Sequence, residues 1–281
     1  MTDSTPPSTP PPLEPPSSGP PPFSISHAEL ALDPEMLATE LAKELLGDPL
    51  DELEALDLAE TDVAAECDLG LALLGGNHEE RMQGLRIFCE HRDPRATPLL
   101  LPLLEASCPV LRMSAVYALG RNPDARALAP LLALLQNDSN GYVRKAVAWS
   151  LGNYADGPVL GPLIRSLETD VAAVRLWAAS SLADVGATGL AKADQAASQL
   201  LLSLRIDSEP VVRSNSAWSL GRLYGDLVEP RQKELVEALV ATLLGDGDPT
   251  VRDEARVALE QLEQPPVLER LQTLIEDGLL S

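Results

Sequence analysis

The chain has 281 residues, of which 45% are hydrophobic and 3% aromatic, and its formal net charge at pH 7 is −22. No apolar run reaches the roughly 18 residues that a transmembrane helix needs, so we expect no membrane association. Because a strong negative charge repels nucleic acid phosphates and anionic lipid, we also expect no nucleic acid partner. Three cysteines and no secretory leader predict a cytoplasmic protein.

The N-terminal third holds most of the negative charge. Residues 1–80 carry 18 acidic residues and one lysine, a net charge of −17, whereas residues 81–281 carry 25 acidic and 20 basic residues, a net charge of −5. Residues 1–32 are rich in proline, serine and threonine. Such a segment cannot bury enough apolar surface to offset chain entropy, so we predict a disordered tail with polyproline II character.

Residues 33–65 have a different pattern. Leucines recur at helical spacing, acidic residues occupy the other faces, and Asp33 before Pro34 is a candidate N-cap. We predict an acidic helical arm. Two interpretations stay open for it: a cap over the open end of the following array, or an arm that docks on a partner.

From about Glu66 onward, a short motif recurs that reads V-R, a small residue and then L-G. Its arginines are spaced by 31, 32, 31, 38 and 39 residues, at Arg81, Arg112, Arg144, Arg175, Arg213 and Arg252. A period in this range predicts a repeat array. Each unit reads as a leucine-rich helix, a short turn and a V-R helix. These V-R helices start near residues 80, 111, 143, 174, 212 and 251, so we predict an all-α, right-handed α-solenoid over residues 66–281.

Positions in the V-R helix are numbered here from its arginine. Positions −1, +3 and +7 share one face and carry apolar or small residues, which predicts the core. The arginine itself is predicted to be structural, with its head on an acid or a carbonyl of an adjacent turn. The candidate acids are Asp138, Asp170, Asp207 and Asp246. The glycines at +8 are predicted to close these helices in the left-handed conformation: Gly120, Gly152 and Gly221.

Positions +2, +5 and +9 form a second stripe, in which the units differ and which holds all three tryptophans. We predict a partner-binding concave surface there, because aromatic and arginine side chains dominate contact energies in interfaces. The alternative is that the aromatic rings fill gaps between stacked units. The candidate residues are Ser114, Tyr117, Arg121, Trp149, Asn153, Trp177, Ser180, Asp184, Asn215, Trp218 and Arg222.

Catalytic signatures are missing from the sequence. We find no phosphate-binding loop, nucleophile elbow or H-E-x-x-H motif, so we predict no catalytic residue and no cofactor. Soft ligands for zinc or iron–sulfur chemistry are few, and buried apolar thiols are the alternative to a metal site. The weak candidates are Cys67, Cys89, His91 and Cys108.

The repeat units resemble HEAT repeats of the short, phycobilisome-lyase type over residues 79–260. Their 31–32-residue spacing is shorter than the roughly 40–47 residues of ordinary HEAT units. This resemblance implies a right-handed solenoid of HEAT-like helical hairpins. It also implies one possible activity, that of an E/F-type phycobilin lyase subunit of cyanobacteria, acting in bilin attachment to phycobiliproteins and in phycobilisome assembly. Arg121 or Arg222 would then meet the bilin propionates.

A closer resemblance is carried by the stretches RMQGLRIFCEHRDPRA, MSAVYALGRNP and RKAVAWSLGNY. They are similar to cyanobacterial HEAT-repeat proteins of the IaiH type, which are partners of an A-type iron–sulfur scaffold protein. This resemblance implies a non-catalytic adaptor that binds the scaffold and stabilises its cluster. The long proline-rich and acidic N-terminal part favours this interpretation, because a chromophore transferase has no evident need for it.

Overall fold

The computed structural model describes residues 63–280, which belong to one compact unit. Within this range every regular element is helical and no strand occurs, which confirms the predicted all-α solenoid. The predicted tail lies outside the described residues, as does all of the predicted arm before Val63. No helix of the described range has the length and apolar character needed to cross a bilayer.

The helices pair into six hairpins followed by one further helix, among residues 63–280. Their bounds are α1 Val63–Leu74, α2 His78–Glu90, α3 Thr97–Leu100, α4 Pro109–Arg121, α5 Ala125–Asn137, α6 Gly141–Ser150, α7 Leu160–Thr169, α8 Ala172–Gly186, α9 Leu190–Ile206, α10 Pro210–Leu223, α11 Glu229–Gly245, α12 Pro249–Gln261 and α13 Pro265–Glu276. Short 3₁₀ turns follow α3, α6 and α10, at Leu101–Glu105, Leu151–Tyr154 and Tyr224–Asp226. The V-R helices are therefore α2, α4, α6, α8, α10 and α12.

Local signals start the V-R helices. Proline is the first residue of α4, α10 and α12, where its fixed φ suits a helix and its missing N–H costs nothing. A capping box starts α2: Asn77 accepts from the backbone N–H of Glu80, and the Glu80 carboxylate accepts from the Asn77 N–H. Asn140 caps α6 in a similar way. Five of the six V-R helices therefore have a local start signal, whereas α8, with Val171 at its N-cap, has none.

The predicted core face of the V-R helices is buried. The leucines at +7 have no exposed surface in the five clear units, at Leu119, Leu151, Leu182, Leu220 and Leu259. Neighbouring V-R helices pack on one another more extensively than neighbouring first helices do. The V-R helices therefore line the inner side of the array, with their core face on the first helices and their +2, +5 and +9 stripe turned away from it.

The last helix, α13, follows the final V-R helix, and the V-R motif does not indicate it. In the structure α13 packs on α12 through Val267 and Leu271, which are both buried. Arg270 of α13 also pairs with Glu237 of α11 at 2.6 Å. The apolar residues of α13 resemble the first helix of another repeat, but no V-R motif follows them in this sequence. Only the packed structure shows that α13 covers the last of the six hairpins.

The prediction for the glycines at +8 is wrong. Among residues 63–280 the only glycine in the left-handed region is Gly278, at φ 71°. Gly120 lies inside α4 instead, where an added Cβ would come within 2.6 Å of Trp149 Cζ3 and 2.9 Å of Ser150 Oγ. A Cβ at Gly221 would be 3.3 Å from that of Ala258 on the next V-R helix. These glycines are needed because a Cβ would block the approach of the following V-R helix.

The predicted structural role of the V-R arginines is confirmed at four positions, where a ladder of ion pairs joins successive units. Each guanidinium donates through Nε and Nη2 to both oxygens of the aspartate that ends the next unit's first helix, at 2.6–2.9 Å. Both groups are mostly buried, at 14–18% exposure for the arginine and 3–12% for the aspartate side chains. The pairs are Arg112–Asp138, Arg144–Asp170, Arg175–Asp207 and Arg213–Asp246.

A second bond connects each rung to the next one. The Nη1 group of each arginine donates to a backbone carbonyl in the turn just before its own helix, at 2.8–2.9 Å. From Arg144 onward that carbonyl belongs to a ladder aspartate. Asp170, for example, accepts from Arg144 through its carboxylate and from Arg175 through its carbonyl. The ladder ends at Arg252, which donates to the Asp246 carbonyl.

The ladder begins only at Arg112, and a different contact joins the first two units. The position equivalent to Asp138 is Ala106, and Arg81 Nε is buried without a hydrogen-bond partner among the described residues. Buried Asn122 takes over this junction. Its Nδ2 donates to the carbonyls of Phe88 and His91, and its Oδ1 accepts from the Asp93 N–H at 2.7 Å. Asn122 lies outside the repeated motif, so the sequence pattern does not indicate its role.

Gly120→Ala should destabilise the array, although alanine is normally the better helix former by up to about 1 kcal/mol. The added Cβ would push the Trp149 ring out of its seat, and we expect a loss of about 1–3 kcal/mol in the free energy of unfolding, measured by urea denaturation. Gly245→Ala, with open space around it, is the control and should be neutral or stabilising. Equal behaviour of the two variants would contradict the close-approach explanation.

Asp170→Ala should cost roughly 2–4 kcal/mol in the same measurement, because it leaves the Arg144 guanidinium mostly buried without its anion. Removing both partners in Arg144→Leu/Asp170→Ala should cost less than the sum of the two single changes. Arg126→Ala is the matched control, since its pair with Asp124 is exposed and should contribute less than about 1 kcal/mol. A ladder variant as mild as this control would show that the rungs add no stability.

Acid should weaken the array through the ladder aspartates. Hydrogen bonds from Arg213 hold the pKa of Asp246 below its ordinary value, against the opposing effect of burial. This contribution to stability is therefore present above the unfolded-state pKa of about 4 and is lost as the pH falls through the lower folded-state pKa. Asp246→Asn should lose less stability than the wild type between about pH 5 and pH 3. Parallel stability curves for both proteins would contradict this assignment.

Candidate protein-binding face

The outward stripe of four successive V-R helices forms one continuous surface, called the V-R face below. It comprises the +2, +5 and +9 positions of α4, α6, α8 and α10, together with Lys145 at +1 of α6. Four aromatic side chains lie on it, one from each helix, and each is partly buried: Tyr117, Trp149, Trp177 and Trp218. Their positions follow from the helical period, since +2, +5 and +9 project to the side opposite the core.

Trp149 joins the first two helices of the face. Its ring centroid lies 5.3 Å from that of Tyr117, with the ring planes tilted by 60°. This is a favourable aromatic geometry. The same ring covers the surface left open by Gly120. Trp149 therefore fills a gap between units, as the alternative interpretation of the stripe required, while part of it stays accessible to solvent.

Cations accompany the other two tryptophans. Lys145 Nζ lies 5.8 Å from the Trp177 ring centroid, and the Arg222 guanidinium lies 4.8 Å from that of Trp218. Arg222 also pairs with Asp184 of α8 at 2.8 Å. The Trp177 indole N–H is buried and has no hydrogen-bond partner among the described residues. Both rings are thus held by charged neighbours and keep an outward surface.

The remaining candidate residues are not equivalent. Ser114 and Ser180 are half-buried, and Arg121 is half-buried at the end of α4, whereas Asn153 is exposed in the turn after α6. Asn215 is buried at 8% exposure, and its amide donates to the Leu176 carbonyl at 2.7 Å. The structure therefore places Asn215 in the contact between α8 and α10.

The four V-R helices that carry the face are poor in acidic residues. Residues 63–280 contain 29 acidic and 20 basic residues, yet α4, α6, α8 and α10 together contain a single acidic residue, Asp184. Besides the four ladder arginines, they carry Arg121, Lys145 and Arg222. Glu90 on α2 and Glu254 on α12 bound this cationic stretch at its two ends. Lys145 lies one position outside the stripe, so the +2, +5 and +9 pattern does not indicate it.

Clefts also occur on the outer side, between neighbouring first helices. Three of them, of about 370, 450 and 530 Å³, are each lined by a ladder arginine: Arg175, Arg112 and Arg144. Because the same cleft recurs from unit to unit and its arginine is engaged in the ladder, these clefts follow from the stacking geometry. They do not define a separate site.

The four weak metal candidates do not converge. Cys67 is buried in α1, and the Cys89 thiol lies 3.8 Å from the Ser114 carbonyl. His91 Nε2 is bonded to Glu66 at 2.7 Å instead. Burial, with Glu90 nearby, raises the pKa of Cys89 to about 12, so the metal-binding thiolate is suppressed. No group of three or more potential ligands that could hold a metal is found within residues 63–280.

Comparison with solved structures gives repeat proteins. A designed armadillo repeat protein is 20% identical over 69% of this chain and 98% of its own, with a TM-score of 0.50. A second one, in complex with the peptide (KR)4, has the same identity and coverage and a TM-score of 0.51. An engineered protein is 25% identical over 76% of this chain and 97% of its own, with a TM-score of 0.49. The two armadillo likenesses support the fold alone.

Comparison with curated proteins gives no match. The family model for HEAT repeats, by contrast, matches in three overlapping placements, at residues 70–152, 129–221 and 197–279. Together these cover the array from α1 to α13, well over half of the chain. The matched segments contain the V-R helices, the ladder arginines and the aromatic stripe described above. The chain belongs to the HEAT-repeat family.

Proposed function

We propose that this HEAT-repeat chain is a non-catalytic protein-binding scaffold that holds its partner on the V-R face. The observation that supports this most is the placement of four aromatic and three cationic side chains, from four successive units, on one continuous surface. Such side chains contribute most of the energy in protein interfaces. HEAT and armadillo-like repeats are suited to this role, because stacked units present an extended surface.

The side chains of the face indicate which side chains the partner contributes to the interface. Arg222 lies against Trp218, and this cation favours a carboxylate in the partner segment, while the partly exposed tryptophans favour apolar side chains within it. By contrast, one of the designed armadillo repeat proteins is in complex with a basic peptide, (KR)4. The partner of this chain is therefore proposed to bind through an acidic segment with apolar anchors.

The partner identity proposed here comes from the resemblance of the repeats. An A-type iron–sulfur scaffold protein is the first candidate, with this chain stabilising the scaffold and its cluster in the cytoplasm. The second candidate function is that of a phycobilin lyase subunit. The observation in its favour is Arg222 lying against Trp218, an arrangement in which the ring could stack on a tetrapyrrole and the guanidinium could bind a propionate.

Titration of the purified chain with the A-type scaffold protein, prepared without oxygen, tests the first candidate. The variant Trp218→Ala/Arg222→Ala should weaken binding by at least about tenfold in Kd, measured by calorimetry, because it removes two anchors from the face. Ile206→Ala is the matched control, an exposed apolar side chain on the first helix α9. It should bind like the wild type.

Two results would contradict the proposal. Equal affinity of the face variant and the control would remove the V-R face from the interface. No binding of the scaffold, together with a shift in bilin absorbance and quenching of tryptophan fluorescence on adding phycocyanobilin, would favour the lyase subunit. Circular dichroism of both variants should match the wild type, so that a loss of affinity reports the interface and not unfolding.

A further inference from the structure

We infer that the edge of the array where the V-R helices begin is a second docking surface, for an extended basic segment of a partner protein. This edge, called the helix-start edge below, comprises the turns into α4, α6, α8 and α10, at residues 105–110, 137–142, 168–173 and 205–211. It borders the V-R face and shares no residue with it. The helix-start edge goes beyond the proposed function and does not depend on it.

A row of exposed apolar side chains runs along the helix-start edge. Val110, Tyr142 and Val171 come from three successive turns, and they are 49%, 70% and 51% exposed. Turns normally carry polar residues, so an exposed apolar side chain in each of three neighbouring turns departs from the ordinary pattern. The row continues at Val211, which is half-buried in the first turn of α10. Contiguous apolar surface of this kind is typical of an interaction site.

The arginine–aspartate ladder fixes the spacing of this row. Arg112 bonds to Ala106 in the first turn and to Asp138 in the second. Arg144 bonds to Asp138 in the second turn and to Asp170 in the third. Packed helices lie about 8–10 Å apart, so the row repeats at about this interval. A polyproline II segment rises about 9.3 Å in three residues and returns every third side chain to the same side, which matches the row.

Val171 contributes to this row and does not cap the helix that it begins. It is the N-cap of α8, with φ −65° and ψ 154°, and it makes no side-chain hydrogen bond to the helix. Serine or asparagine would stabilise a helix at such a position, as Asn140 does for α6. The Val171 Cγ2 atom lies only 3.4 Å from where a Cβ of Gly141 would be, so Val171 adjoins the turn that carries Tyr142. The valine side chain is therefore available for a contact outside its own helix.

The charge of the helix-start edge indicates a basic occupant. Within the four turns the only cation is Arg205, which pairs with Glu234 at 3.3 Å, and the aspartates are engaged in the ladder. Three further carboxylates are exposed and have no hydrogen bond or ion pair among the described residues: Glu105, Glu168 and Glu209. A segment with arginine or lysine between its apolar residues would bring cations to these carboxylates.

A fluorescein-labelled peptide of twelve residues that repeats Leu-Arg-Pro is the probe, and its binding to the full chain is measured by fluorescence anisotropy at about 0.1 M salt. We expect a Kd of about 10–100 µM, as for a small interface. A peptide of the same composition that repeats Leu-Leu-Arg-Arg-Pro-Pro lacks the three-residue spacing, and a third peptide has glutamate in place of arginine. Both should bind at least about tenfold more weakly.

Val171→Ser separates binding from folding, because serine at an N-cap stabilises a helix. The variant should unfold at a higher urea concentration than the wild type, yet bind the Leu-Arg-Pro peptide at least about fivefold more weakly. Val228→Ser is the matched control, since Val228 is also an exposed N-cap valine, but of the first helix α11 and outside the helix-start edge. It should gain similar stability and bind the peptide like the wild type.

Failure of the Leu-Arg-Pro peptide to bind, or equal binding of all three peptides, would overturn the inference. Equal binding by Val171→Ser and the wild type would also overturn it, as would loss of binding in Trp218→Ala/Arg222→Ala, which would place the peptide on the V-R face. A wild-type dimer that dissociates in Tyr142→Ser, seen by sedimentation, would show that a second copy covers the edge instead. Because the peptide test uses neither the scaffold protein nor the V-R face, the helix-start edge and the proposed function can fail separately.

Discussion

The arginine–aspartate ladder is the interaction on which the rest of the array depends. Each ladder arginine bonds to the aspartate at the end of the next unit's first helix and to a backbone carbonyl in the turn before its own helix. One guanidinium therefore joins two successive units and also holds the turn of its own hairpin. A guanidinium bound in this bidentate way fixes orientation as well as distance. It thereby sets the rotation of each V-R helix about its axis. The alignment of four outward stripes into one face is a consequence of that repeated rotation.

Close approach between V-R helices gives the face its second property. Glycine at +8 removes the Cβ that would separate two helices, and an aromatic ring or a small side chain from the next helix occupies the space. Trp149 illustrates why packing and binding are not alternatives here. One part of its ring contacts Tyr117 and Gly120, and the remainder is exposed on the inner side. Rings held in this way lose little conformational freedom on binding, which favours affinity.

Charge is divided between the sides of the molecule. Acidic residues are nearly excluded from α4, α6, α8 and α10, and those that approach these helices from the first-helix side are the ladder aspartates. Their carboxylates neutralise the ladder arginines, whereas Arg222 on the V-R face pairs with Asp184 and lies against Trp218. The inner helices of an acidic chain are thus poor in acidic residues of their own.

The sequence by itself determined the repeat class, the core face and the ladder partners. All three repeat with the period of the motif, and a pattern that recurs in every unit must satisfy the same contacts each time. Leu119 and its equivalents, and the four aspartates as candidate partners of the V-R arginines, could be predicted for that reason; which arginine pairs with which aspartate could not. The outward position of Trp149, Trp177 and Trp218 also followed from helical spacing. Features that occur only once in the chain could not be predicted from the repeat pattern.

Only the tertiary structure decided which outward residues remain available and how the array begins and ends. Asn215 and Trp218 share one stripe in the sequence, yet Asn215 is buried against α8, because a residue's exposure depends on the neighbouring unit and not on its own helix. Asn122 replaces the missing first rung, and α13 covers the last hairpin, through contacts between residues distant in the chain. Glycine at +8 predicts a helix end from local sequence. The actual constraint is the short distance between two V-R helices, and a local sequence pattern carries no information about that distance.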